Sequence, residues 1–259
     1  MTTQEHMLGY SVHAAGGKGC VEEIVQCITE GHRFQWLACL NPHGYAVALR
    51  DQPFADALRS ADWLVPDGVG IVLASRCFGG RIRERVTGSD IFRALHERLS
   101  EEGEYTVFFL GSTDETLARI RERMNIEFPR MKVVGTYSPP FKAAFTSSDI
   151  EDMLSAINDA APDILWVGMT APKQEKWINA NKTRLNVKFA GAIGAVFDFY
   201  TGRIKRSHPA FQRAGLEWFP RLLREPTRLW QRMFVSAPIF MWHVLRHRFY
   251  LLTVPRQGD

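Results

Sequence analysis

The 259-residue chain lacks most of the short signatures that assign a function outright. No Gly-x-Gly-x-x-Gly follows its first strand-like run, and no Walker A loop occurs. Classical dinucleotide binding and P-loop nucleotide hydrolysis are therefore not expected. The four cysteines, Cys20, Cys27, Cys39 and Cys77, form no CxxC pair. That argues against a disulfide framework or a structural zinc site and suits small buried thiols. No His/Asp/Glu cluster has metal-ligand spacing. No stretch approaches the length and polarity of a transmembrane helix. Met1–Gly9 has neither a basic head nor an apolar run, so it does not read as a signal peptide. Cytoplasmic residence is the default expectation.

What is present is an ordinary globular composition, 46% hydrophobic and 23% charged, with a net charge of +4. The length suits one large domain or two small lobes. The charge is unevenly spread. Residues 201–259 hold 11 Lys/Arg against 3 Asp/Glu, so the first 200 residues are net acidic. The same tail carries Trp218, Trp230, Trp242, Phe211, Phe219, Phe234, Phe240, Phe249 and Tyr250. Basic residues beside large aromatics suit an anionic lipid surface. A packed helix pair with a solvated basic face and a nucleic-acid surface are the other readings.

Strands and helices alternate along residues 35–193. Strand runs are expected at Gln35–Leu40, Asp62–Val65, Tyr105–Leu110, Met131–Gly135, Ile164–Gly168 and Val187–Ile193. Helices are expected at Tyr45–Ser60, Val69–Arg76, Asp90–Leu99, Glu115–Met124, Gln174–Ala180 and, behind a Ser/Asp cap, Asp149–Ala160. This βαβ spacing predicts an α/β fold: a Rossmann-like, mostly parallel sheet with flanking helices over residues 1–200. Residues 201–259 read as a helical, membrane-associating appendage broken at Pro209, Pro220, Pro226 and Pro238. Within it Arg221, Arg224, Arg228 and Arg232 recur at spacings of three and four, one face of a continuous helix.

In an open α/β sheet, ligands bind beyond the C-terminal ends of the strands. Polar clusters fall there: Asn41/His43, Asp67/Gly68, Gly111/Ser112/Thr113, Gly168/Met169/Thr170 and Gly191–Gly194. Glycines admit a phosphate or nucleoside to the backbone, and helix N-termini offer N–H donors. Asp67 is a general base or a turn aspartate. Asp198, between Phe197 and Phe199, is a catalytic or organising carboxylate, or a cap. His43 is an acid/base group or a packed histidine. Arg85 meets a phosphate or an ordinary surface partner. Gln174 can hydrogen-bond a nucleobase or sugar, and Glu175 suits a helix N-terminus.

Five segments together resemble the WecG/TagA/CpsF family of bacterial glycosyltransferases: ADWLVPDGVGIVLA (61–74), ERVTGSD (84–90), WVGMTAPKQEKW (166–177), GAIGAVFDFYTG (191–202) and GLEWFPRLLREPTRLWQR (215–232). The resemblance spans roughly residues 20–245. It implies an inverting, metal-independent transferase that needs no cofactor. Such an enzyme moves a hexose-type sugar from a UDP-sugar to a polyprenyl-pyrophosphate-linked sugar in surface or exopolysaccharide synthesis. It implies Asp67 as the catalytic aspartate, Arg85 as a phosphate-associated arginine and Gln174 as a donor contact. Asn41 is retained from the family's Thr-x-Asn segment, but Cys39 replaces its threonine, and a thiol is the weaker hydrogen-bond partner. Arg206-Ser207-His208-Pro209 departs from the family's Arg-Ala-Pro. The appendage arginines Arg221, Arg224 and Arg228 are expected to serve substrate binding. So are Gly68, Gly111, Gly168, Gly191, Gly194 and Asp198. The expected partners are the UDP-sugar, the lipid-linked sugar and an anionic membrane surface on the inner face of the cell membrane. Nucleic acid is not expected, and a homo-oligomer is left open. The rival readings are a nucleotide-dependent oxidoreductase and a membrane- or nucleic-acid-binding module without transferase activity.

Overall fold

A computed structural model describes residues 3–31, 33–203 and 230–253. Its centre is a six-stranded sheet. The strands are β3 (Gln35–Leu40), β4 (Trp63–Pro66), β5 (Tyr105–Gly111), β6 (Met131–Tyr137), β7 (Ile164–Gly168) and β8 (Phe189–Ala192). They lie in the order β4-β3-β8-β7-β5-β6, and every neighbouring pair is parallel. Adjacent strand residues enter opposite cores, as the period of two requires. Phe108 and Leu165 face one apolar layer, while Phe109 and Trp166 face the other. Both faces are covered, which is why these strands read as continuous apolar runs.

The flanking helices are α1 (Gly16–Glu30), α2 (Pro42–Ala48), α3 (Gln52–Ser60), α4 (Val69–Phe78), α5 (Gly88–Glu102), α6 (Asp114–Glu127), α7 (Ser147–Ala160), α8 (Lys173–Asn181) and α9 (Val196–Tyr200). The helix expected over Tyr45–Ser60 is two helices. The Asp51 side chain accepts from the Phe54 N–H and starts α3 afresh, with proline in its first turn. The cap of α7 is Thr146, not a Ser/Asp pair. Thr146 accepts from the Asp149 N–H, and Asp149 bonds back to the Thr146 N–H. Besides the short α9, two features lie outside the elements expected from the sequence. One is α1, which buries Cys20, Val21, Ile24, Val25, Cys27 and Ile28. The other is an antiparallel hairpin of β1 (Gln4–Met7) and β2 (Tyr10–His13), apart from the main sheet. All four cysteines are free thiols; Cys20 and Cys27 are buried, Cys39 and Cys77 half-buried.

At the C-terminal end a π-helical turn, Gln231–Ser236, runs into α10 (Ala237–Thr253). This segment packs on α2 and α4. Phe240 is buried edge-on against Tyr45, with ring centroids 5.4 Å apart. The Tyr45 hydroxyl lies 3.0 Å from His243 Nδ1, and His43 Nδ1 lies 2.8 Å from Ser236 Oγ. Phe240→Ala is expected to cost roughly 3 kcal/mol of this docking. Amide exchange over 237–253 should then quicken while β5 and β7 keep their protection.

Candidate active site

The register of β3 and β4 builds the site. Cys39 lies opposite Val65 and Leu40 opposite Pro66, so Asn41 and Asp67 leave the sheet side by side. The Asp67 N–H donates to the Leu40 carbonyl at 2.8 Å and fixes the start of the turn. Gly68 follows with φ +116° and leads into α4. A side chain rarely adopts that backbone, which accounts for glycine after the aspartate.

Asn41 works in two directions. Its Oδ1 accepts from the Gly44 N–H at 2.8 Å and caps α2. Its side chain also bonds the Asp67 carboxylate, and only the Nδ2–H group can donate there. Asp67 is half-buried. Burial raises its carboxyl above the ordinary carboxylate range; Arg85, the Asn41 bond and Arg232 pull it back, and Asp90 adds to the rise. A carboxylate with raised proton affinity, backed by two arginines, is suited to take a proton from a hydroxyl. Arg232 comes from the C-terminal segment, so that segment contributes charge to the Asp67 site.

Cys39 points to the same place. Its thiol is held well above its ordinary range by burial, Asp67, Glu175 and Cys20, against a bond from the Gly88 backbone. It is a neutral thiol rather than a nucleophile. Arg85 lines a cavity of about 470 Å³ between α1 and α5, together with Lys18, Glu84, Asp90 and Arg98. His43 is a docked histidine, bonded to Ser236.

Gln174 is 3% exposed. Its Oε1 accepts from the Gly194 N–H at 3.0 Å, and its Nε2 donates to Glu175 Oε1 at 2.8 Å. It thus acts on the Gly191–Gly194 turn rather than projecting into solvent. The glycines have packing reasons of their own. A Cβ on Gly191 would sit 2.2 Å from the Trp166 ring, one on Gly168 2.3 Å from the Phe197 ring, and one on Gly111 2.6 Å from the Gly168 carbonyl. Gly111 and Gly168 mark the β5–β7 crevice, away from Asp67 along the sheet edge. Asp198, on α9, is half-buried and pairs with Arg203 at 3.4 Å. Arg221, Arg224 and Arg228 lie outside the described residues.

Cys39, Asn41, Asp67, Arg85 and the Gln174–Gly194 link therefore converge, joined by Asp90, Glu175 and Arg232. Sequence reasoning missed Asp90, whose capping-box role with Thr87 was the available signal. It also placed Glu175 at a helix terminus and not in the interior. Among the described residues, no group of three or more His, Cys, Asp or Glu could hold a metal ion.

A carboxylate flanked by two arginines, at the C-terminal edge of a fully parallel α/β sheet, is an arrangement suited to group transfer. Residues 5–253 match the Glycosyl transferase WecG/TagA/CpsF family, and the chain belongs to it. It is a glycosyltransferase. Two relatives, from Bacillus spizizenii (strain ATCC 23059 / NRRL B-14472 / W23) and Bacillus subtilis (strain 168), both bear the name N-acetylglucosaminyldiphosphoundecaprenol N-acetyl-beta-D-mannosaminyltransferase. The first is 31% identical over 212 residues, 82% of this chain and 79% of its own. The second is 29% identical over 210 residues, 81% of this chain and 78% of its own.

Proposed function

We propose that the chain moves a hexose-type sugar from a UDP-sugar to a polyprenyl-pyrophosphate-linked sugar, with inversion, in bacterial surface polysaccharide synthesis. The relatives' names support the lipid-diphosphate acceptor and point to an N-acetylhexosamine as the first donor to try. The observation that carries the reading is Asp67, bonded by Asn41 and flanked by Arg85 and Arg232. The Asp67 carboxylate takes the proton of the acceptor hydroxyl. That oxygen forms the new bond to the anomeric carbon as the bond to the UDP oxygen breaks. The pair of electrons leaves with UDP, whose charge the arginines offset. Three strand spacings, roughly 14 Å, separate the Asp67 end of β4 from the Gly168 end of β7. A donor laid along this edge turns its sugar toward Asp67 and its nucleoside toward Gly111 and Gly168.

The C-terminal segment is assigned to a membrane surface. Its outer side exposes Trp230, Phe234, Leu245, Trp242 (65%) and Phe249 (72%), with exposed Arg246 among them. Helix α4, on which it packs, exposes Val69 and Leu73. Among the described residues no helix is long and apolar enough to cross a membrane. This arrangement supports lying in the headgroup layer, where aromatics and arginines both find partners. It supports a peripheral location on the inner face of the cell membrane.

The test is a panel of UDP-sugars with a short lipid-pyrophosphate-GlcNAc acceptor, the product linkage read by NMR. A β-linked product from an α-linked donor is expected. No transfer from any member, or retention at the anomeric carbon, would refute the reading.

A further inference from the structure

Glu175 opens the first turn of α8 yet is 2% exposed. One oxygen, Oε1, accepts from Gln174 Nε2. The other, Oε2, is buried without a hydrogen-bond partner among the described residues. Through Gln174 the carboxyl reaches a particular backbone group. Gly194 holds φ +55°, and its N–H is received by Gln174 Oε1. An amide has two unlike ends, and only its oxygen can receive that N–H. The Gly194 N–H and Glu175 Oε1 together fix the amide, because reversing it would set Nε2 against the Gly194 N–H and withdraw the donor from Oε1.

We propose that Glu175 is a positioning residue of the donor site, locking the Gln174 amide and through it the Gly191–Gly194 turn at the mouth of β8. The inference rests on the donor reading given above. An isolated carboxylate in this interior would be costly, so the group holds its turn as a neutral acid. Burial pushes it up to about 7. The titratable group facing it is the Cys39 thiol of β3, itself beside Asp67. On its own helix, Lys176 turns to Asp51 of α3, and Lys173 to the Lys142 carbonyl in the β6–α7 loop. Neither lysine supplies a counter-charge. Once Glu175 ionises, a negative charge lies behind the turn that is to hold a diphosphate.

The experiment is calorimetric titration of the full chain with UDP, from about pH 6 to about pH 8.5, beside steady-state kcat and KM. The parent should lose UDP affinity as pH rises through about 7. Glu175→Gln keeps an acceptor for Gln174 and cannot ionise. It should match the parent at low pH within about twofold and lose the alkaline decline. Glu175→Ala should bind UDP about tenfold more weakly than the parent at low pH and show no alkaline decline, with donor KM raised and kcat at saturation little changed. Gln174→Ala should weaken UDP similarly, and the double variant should be no weaker than either single one. Unaltered UDP binding by Glu175→Ala, or additive losses in the double variant, would overturn the positioning role. So would an alkaline decline that persists in Glu175→Gln. A parent that binds no UDP would instead overturn the donor reading, and this inference with it.

Discussion

Asp67→Asn should lower kcat about a thousandfold, the usual worth of a positioned general base. Donor KM should change little, because the amide keeps the size of the carboxyl. The stability should move the other way. Burial raises the proton affinity of Asp67, so the folded state disfavours its charge. The sign follows from linkage: a carboxyl raised on folding costs stability when ionised, and the cost disappears as pH falls through the folded value. At neutral pH the neutral asparagine should therefore leave the melting temperature unchanged or higher. A residue that costs stability and supplies rate is the mark of a functional site. The same shift places the acid limb of kcat/KM above the position of an ordinary aspartate, and that limb should vanish with the substitution. Full activity in a folded Asp67→Asn chain would remove Asp67 from the chemistry.

Gly191→Ala should cost roughly 3 kcal/mol of stability, toward the upper end for overfilling a packed interior. The pairing of β7 with β8 sets Trp166 directly beside Gly191. The Trp166 ring cannot swing aside. It is fully buried, its Nε1 donates to His96 Nε2 at 3.1 Å, and Phe92 and Phe189 lie against it. A urea midpoint that falls at constant m-value would register the loss. Trp166→Leu removes the atoms that collide, so the double variant should lose less than the two single costs summed. Gly191→Ala that weakens UDP binding at unchanged stability would point instead to close approach of the donor.

The strands expected at Gln35–Leu40 and Ile164–Gly168 are β3 and β7 residue for residue. Both are buried on two faces, so their apolar runs carry the whole signal. The break inside Tyr45–Ser60 was harder to see, because apolar periodicity continues across it and only the Asp51 cap interrupts the backbone. Asp67 and Asn41 stood out as polar residues directly after apolar strands. That they touch is a matter of β3–β4 register, which no local window contains. Glu175 was the least legible. A glutamate in a first helical turn ordinarily faces water. Its burial accompanies the Gln174–Gly194 contact, which joins segments that no local window contains.

The π-helical turn that carries Arg232 also sets a bond of Ser236 to His43. One short segment thus holds both an attachment point and a charge felt by Asp67. Docking of this segment and the proton affinity of Asp67 are consequently a single thermodynamic cycle. Whatever seats the segment more firmly makes Asp67 a stronger acid by the same free energy with which ionising Asp67 tightens the seat. A lipid surface that steadies α10 would in this way adjust the chemistry without touching either substrate.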